Sequence, residues 1–285
     1  MPITASERGG AAAVGMRTVT TVAELRGAVA EARAAGARVG FVPTMGFLHE
    51  GHLRLVDAAR READFVVMSI FVNPLQFAPT EDLARYPRDP EGDSAKAAAR
   101  GVDLLFTPAV AEMYAANRAV SVVPSGLDAR WEGEIRPGHF AGMLTVVCKL
   151  FNQVQPDVAV FGQKDFQQAT LVRAMVRDLD IPVTVTVAPI VREPDGLAMS
   201  SRNVYLSADE RRRARSLSQA LRAVLAAFDA GERRSDALLA AGRRVLDAET
   251  DVHIDYFAIA DAGTLEPVAA ASRGAVALLA ARVGA

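Results

Sequence analysis

Two histidines carry the first chemical signal. In FVPTMGFLHEGHL, residues 41–53, His49 and His52 stand three apart just after a glycine turn, in a chain with four histidines in all. Paired imidazoles can ligate a metal, move a proton or donate hydrogen bonds to an anion. Their spacing argues against zinc, because the zinc-protease helix sets two histidines four apart with two residues after the glutamate. The lone Cys148 lies in the apolar run GMLTVVCKLF, reads as buried and makes a poor third ligand. No protein metal ligand is therefore assigned. A helix cap and a packed ring would be the bland account of any isolated pair.

Other polar groups change that balance. GQKD supplies Gly162, Gln163, Lys164 and Asp165, and MSSRN supplies Met199, Ser200, Ser201 and Arg202. A lysine at a helix start opposes the helix dipole, which makes sense beside an anion. Arginine suits bidentate phosphate contacts. Asn73, Gln76 and Gln168 add amides, and Gly46 and Gly51 let backbone or ligand come close.

These groups act together only if the fold gathers them. Residues 22–37 have helical spacing, 38–42 read as a short strand, and Leu53, Val56 and Ala59 recur at helical intervals after the Met45-Gly46 turn. FVVMSIFV, residues 65–72, is continuously apolar and reads as a strand covered on both faces. Strand, turn, helix and strand make one βαβ unit. The alternation continues with helices over 91–101, 140–154 and 166–180, followed by strands in VDLLFTP, DVAVFG and VTVTVAPI. It predicts an α/β fold with a doubly wound parallel sheet. Beyond about residue 190 come two helices and then two strands, predicting a smaller α+β domain. The expected division is a loose tail over 1–15, a Rossmann-like domain over 16–190 and a C-terminal domain over 191–285. In such sheets ligands bind beyond the carboxyl ends of the strands. Pro43, Thr44, the histidine turn, Asn73, Gln76, GQKD, Gln168 and DGLAMSSRN all follow strands, which predicts one cleft.

Composition sets outer bounds. The chain has 285 residues, a formal net charge of −2, 51% hydrophobic and 23% charged residues. No broad basic surface is available to neutralise nucleic acid, and no apolar stretch reaches the roughly 20 residues of a membrane span. One cysteine forms no internal disulfide and favours a reducing compartment, so a cytoplasmic location is expected. The Gly-rich phosphate loop GxxxxGK[ST] is absent, as is GxGxxG after the first strand. A helix start after a glycine turn nevertheless suits phosphate.

Taken in order, FVPTMGFLHEGHL, SIFVNPLQF, RYPRDPEGD, RPGHFAGMLTVV, FGQKDFQQ and DGLAMSSRN resemble the successive motifs of the pantoate–β-alanine ligase family. The resemblance implies an ATP-dependent condensation of pantoate with β-alanine to pantothenate, AMP and pyrophosphate, through a pantoyl adenylate and with Mg²⁺. It implies ATP contacts from Met45, Gly46, His49, Gly51, His52, Gly162, Gln163, Lys164, Asp165, Val191, Met199, Ser200, Ser201 and Arg202. His52, His49 and Lys164 take the catalytic roles. Gln76 and Gln168 hold pantoate, in a pocket shaped by Pro43, Thr44, Met45 and Asn73. A homodimer is also implied. Gln163 stands where the family often has glutamate, and Gly92 stands where an acidic residue often precedes Asp93, which weakens any metal role there. The ending ARVGA is expected to trim the last strand.

Overall fold

The computed structural model describes residues 15–284. Of the tail expected over 1–15, all but Gly15 lies outside the described residues. Strand and helix alternate as β1 (Arg17–Val19), α1 (Val22–Ala34), β2 (Val39–Thr44), α2 (Glu50–Glu62), β3 (Phe65–Ile70), α3 (Pro90–Ala99) and β4 (Leu104–Phe106). Two single-turn helices, α4 (Val110–Met113) and α5 (Glu132–Ile135), precede α6 (His139–Val154). Then come β5 (Val158–Gly162), α7 (Phe166–Asp178) and β6 (Thr184–Ala188).

Strands β2 to β5 are apolar on both faces because helices cover both, while the edge strands β1 and β6 are more open. Along β2, Phe41 enters the core beneath α1, α6 and α7, while Val42 enters the core beneath α2 and α3. Fully buried Val67 and Met68 divide β3 in the same way. Thr21 and Glu24 close the start of α1 as a reciprocal capping box.

All pairings in the main sheet are parallel, in the order β1-β4-β3-β2-β5-β6. The chain leaves β2 toward β3 on one side, and β5 and β6 fill the other. The β2–β5 boundary is therefore the topological switch point, where open α/β sheets form their ligand crevice. The β2–β5 ladder ends at Phe41 and Ala159, before either strand does. Thr44, still paired to Ile70 of β3, and Gly162, still paired to Ala188 of β6, thus diverge from one another on either side of the crevice.

After β6 the chain forms α8 (Ala208–Asp229), α9 (Ser235–Leu246) and the antiparallel pair β7 (Val252–Asp261) and β8 (Ala275–Val283). Ala220, Val224, Leu238, Leu246, Phe257 and Ile259 make a separate apolar core there. A strap before α6 joins the two parts. Gln167 holds the strap through the carbonyls of Leu127 and Arg130 and the Glu132 N–H. From it, Trp131 donates to the Leu265 carbonyl at 2.9 Å and packs against Tyr256.

The observed elements follow the expected order, with three corrections. Edge strand β1 was not foreseen; three residues carry too little periodicity to register. Cys148 is half-buried rather than buried, because it lies on the flank of α6 with Asn152 on its sulfur. The last strand is not trimmed: β8 pairs with β7 from Val283 to Ala275.

Candidate active site

The turn after β2 is built by backbone geometry and one buried carboxylate. Gly46 has φ +87°, and a side chain there would meet Ile70 at 2.9 Å and the Asp93 carboxylate at 3.0 Å. Asp93, 1% exposed, accepts the N–H groups of Phe47 at 2.7 Å and Leu48 at 2.6 Å. A carboxylate from the first turn of α3 therefore fixes the backbone that leads into α2.

His49 is the N-cap of α2, and its Nδ1 accepts from the Gly51 N–H at 3.1 Å. His52 closes the box in reverse, its Nδ1 accepting from the His49 N–H at 3.4 Å. The rings lie 4.1 Å apart between centroids. Because each Nδ1 accepts, a neutral ring carries its proton on Nε2. Capping and chemistry are thus compatible: one nitrogen holds the helix start and the other is left to donate. Burial, reinforced by His49, brings His52 down to about 3. Burial and the Lys164 charge also lower His49. Both rings are neutral donors at neutral pH. Gly51 is required by the same geometry, since a Cβ there would lie 2.8 Å from His49 Cε1 and Nδ1.

Across the switch point, Gly162 ends β5, and Gln163, Lys164 and Asp165 form a 3-10 turn into α7. Lys164 Nζ sits 3.1 Å from Asp165 Oδ1, with 41% and 58% of the two side chains accessible. The Asp165 charge, working against burial, raises Lys164. Burial pushes Asp165 up, but Lys164, then His52 and Arg202, outweigh it and hold it low. Gln163 is exposed, like Lys164 and Asp165 beside it. Gln168 is half-buried in the first turn of α7.

The third segment lies over the first. Met199 N–H donates to the Val191 carbonyl at 3.0 Å, and Met199 Cβ stands 3.6 Å from the position a Gly51 Cβ would take. The Ser201 hydroxyl, 6% exposed, donates to the Phe47 carbonyl at 3.2 Å. Ser200 caps its own turn by accepting from the Arg202 N–H. Arg202 departs from a free phosphate clamp: it grips Asp82 through Nε and Nη2, both at 2.9 Å.

Beside the histidine turn, the amides meet Met45. Gln76 Nε2 lies 3.4 Å from Met45 Sδ, and Gln76 Oε1 accepts from Asn73 Nδ2 at 2.9 Å. Asn73 is 1% exposed and fully engaged. Its Nδ2 also donates to the Gly142 carbonyl, and its Oδ1 accepts from Tyr114 Oη and the Leu75 N–H. Asn73 therefore holds the turn that carries Gln76, and its amide has no group left for a ligand. Pro43 and Thr44 end β2, where the Thr44 hydroxyl bridges the Ser69 carbonyl and the Gly46 N–H.

The sequence pointed to the three segments around the histidine turn but not to their supports. Asp93, Asp82, Gln167 and Arg136 act over long sequence distances, which local spacing does not encode. Arg136 binds Glu81 at 2.7 Å and Glu132 at 3.2 Å, and donates to the Gln76 carbonyl at 3.3 Å. Among the described residues, no group of three or more His, Cys, Asp or Glu could hold a metal ion.

The chain is similar to proteins of one family along nearly its whole length. The family model described as pantoate-beta-alanine ligase matches residues 17–285. Pantothenate synthetase from Roseiflexus castenholzii is 54% identical over 269 residues, covering 94% of this chain and 96% of that protein. The Moorella thermoacetica pantothenate synthetase is 53% identical over 253 residues, covering 89% of each. The crystal structure of pantothenate synthetase from Thermus thermophilus superposes with a TM-score of 0.90 at 52% identity, covering 94% of this chain and 95% of that one. The Francisella tularensis pantoate-beta-alanine ligase, complexed with beta-gamma ATP and beta-alanine, gives 0.73 at 32% identity, covering 85% and 88%. The chain belongs to the pantoate–β-alanine ligase family.

Proposed function

We infer that this enzyme joins pantoate to β-alanine at the expense of ATP, in the crevice between β2 and β5. The observation that carries the site assignment is the double histidine cap. It commits both Nδ1 atoms to backbone and leaves two neutral Nε2–H donors beside Lys164.

In the first step a pantoate carboxylate oxygen attacks the α-phosphorus, and the bond to the β-phosphate bridging oxygen breaks. Pyrophosphate leaves and pantoyl adenylate remains. His49, His52 and Lys164 meet the phosphate oxygens as negative charge builds, with no proton transfer required. In the second step the neutral β-alanine amine attacks the acyl carbon. The C–O bond to AMP breaks, one proton is lost from nitrogen, and pantothenate forms. No covalent enzyme intermediate arises, so the protein works by alignment and charge. Alignment alone can supply roughly 7–11 kcal/mol.

ATP would lie along Met45, Gly46, His49, Gly51 and His52, then Gly162, Gln163, Lys164 and Asp165. Val191, Met199, Ser200, Ser201 and Arg202 would cover it. Gln76 and Gln168 would hold pantoate, with Pro43, Thr44 and Met45 around its dimethyl carbon. Asn73 belongs to this pocket as the support of Gln76.

Mg²⁺ would arrive on the ATP phosphates and keep water ligands, as this ion commonly does. Among the described residues none make a cage for it: Asp93 is engaged by two N–H groups, and Gly92 has no carboxylate. Residues 16–190 are proposed as the ATP- and pantoate-binding domain and 191–285 as the part that closes over it; their separate apolar cores support that division. A cytoplasmic homodimer is proposed, the compartment from the single cysteine and the dimer from the family likeness. Sedimentation would test the dimer.

ATP–pyrophosphate exchange tests the reaction order. Exchange should require pantoate and proceed without β-alanine. Exchange independent of pantoate would indicate nucleotidyl transfer to another acceptor.

A further inference from the structure

We propose that Asp82 is a positioning residue for Arg202, holding one edge of its guanidinium so that the other edge faces the nucleotide phosphates. This rests on the reading above that Arg202 meets ATP. Asp82 lies in the loop between Gln76 and α3, and only 16% of its side chain is accessible. Its two carboxylate oxygens take Nε and Nη2 of Arg202 at 2.9 Å each. Beneath the pair, the ring of Tyr86, itself 5% exposed, lies 5.4 Å from the guanidinium carbon. Two further bonds fix the segments on either side. Tyr205 Oη donates to the Arg85 carbonyl at 2.9 Å, and the Ser201 hydroxyl donates to the Phe47 carbonyl in the histidine turn. The guanidinium is thus held from one edge and one face, and the Nη1 edge stays available. Its charge already reaches the nucleotide segment, where it acts on both Lys164 and Asp165.

Arginine loses rotamer freedom when it grips a phosphate, and a carboxylate that already holds one edge removes much of that loss. The neighbouring residue provides a built-in contrast. Glu81 binds Arg136 at 2.8 and 2.7 Å, and Arg136 donates to the Gln76 carbonyl. Two adjacent carboxylates therefore serve opposite ends of the cleft, Glu81 the amide end and Asp82 the phosphate end. Asp82 should act on ATP and leave pantoate alone.

The test is pantoate-dependent ATP–pyrophosphate exchange with Asp82→Asn, Arg202→Ala and the double variant. Asp82→Asn keeps the shape and loses the charge that anchors the pair. The expected result is a rise of about tenfold in KM for ATP, with KM for pantoate unchanged. On the Arg202→Ala background, Asp82→Asn should add nothing, since a residue acting through another has no effect in its absence. A role confined to folding would lower the melting temperature and apparent kcat with both KM values unchanged, and would overturn the proposal. Arg202→Lys is the second variant, keeping the charge but losing the two-point grip; it should reproduce the rise. If Arg202→Ala raises KM for ATP while Asp82→Asn and Arg202→Lys do not, the proposal is overturned and the reading of Arg202 stands. If Arg202→Ala itself leaves KM for ATP unchanged, both fall. A lower KM for ATP in Asp82→Asn would make Asp82 a competitor of the phosphates and also overturn the proposal.

Discussion

Gly51→Ala separates the two duties of His49. A Cβ at position 51 would stand 2.8 Å from two ring atoms of His49. The ring is the movable partner, so it must rotate away and give up the bond from the Gly51 N–H. Losing an N-cap costs about 1 kcal/mol of stability. Replacing glycine by alanine within a helix returns roughly 0.5–1 kcal/mol. The two terms nearly cancel, so the folded state should be about as stable as before. Catalysis has no such offset. Once Nδ1 is freed, nothing fixes the tautomer or the direction of Nε2–H, and one preorganised donor is worth about 100-fold or more in kcat. The assay pairs steady-state pantothenate formation with thermal unfolding of the same preparation. The expected outcome is an unchanged melting temperature with kcat lower by about two orders of magnitude. Activity within about fivefold of the parent, at unchanged stability, would refute the claim that the cap aims the ring.

Asn73→Ala should lower kcat/KM for pantoate by about 100-fold and leave KM for ATP unchanged, because the lost bonds orient Gln76 rather than the nucleotide; equal effects on both substrates in steady-state kinetics would contradict this. Gly142→Ala would bring a Cβ to 2.1 Å from the Leu75 carbonyl oxygen, a backbone atom that cannot swing aside. Urea unfolding should show a loss of about 1–3 kcal/mol, accompanied by a higher KM for pantoate. A pH effect follows from His52, which is lowered from 6.5 to about 3. The unfolded chain binds a proton there that the folded chain does not, so stability falls as pH drops from about 6.5 toward 3. His52→Gln removes that dependence, and its unfolding free energy should slope less steeply between those limits; an unchanged slope would count against the buried neutral ring.

The centre of the sheet was legible in the sequence because β2 to β5 are buried on both faces. Runs such as FVVMSI and VAVF have no polar alternation to confuse the reading. One cleft was expected from the turns that carry histidine, lysine and amides, while its place at the β2–β5 switch point emerged only from the strand order. The supports of the site were not legible. Asp93 occupies an ordinary first-turn position of α3, where the helix dipole alone would explain an acid. Its reach back to Phe47 and Leu48 exists only once β2 and α3 are packed. Asn73 looked like a ligand group because its residue type suits one, yet burial and four internal bonds engage it fully. Arg202 read as a phosphate clamp, while its Asp82 partner lies 120 residues earlier in the chain. Local spacing thus marked the polar groups that follow the strands, and tertiary packing supplied their supports.

The central claim is that one crevice at the β2–β5 boundary holds both reactants. A crystal structure with a non-hydrolysable ATP analogue and pantoate measures this directly. The account predicts the Nε2 atoms of His49 and His52, with Lys164 Nζ, within hydrogen-bonding distance of phosphate oxygens, and pantoate between Gln76 and Gln168. A nucleotide bound away from the histidine turn, or histidines contacting it through Nδ1, would contradict it.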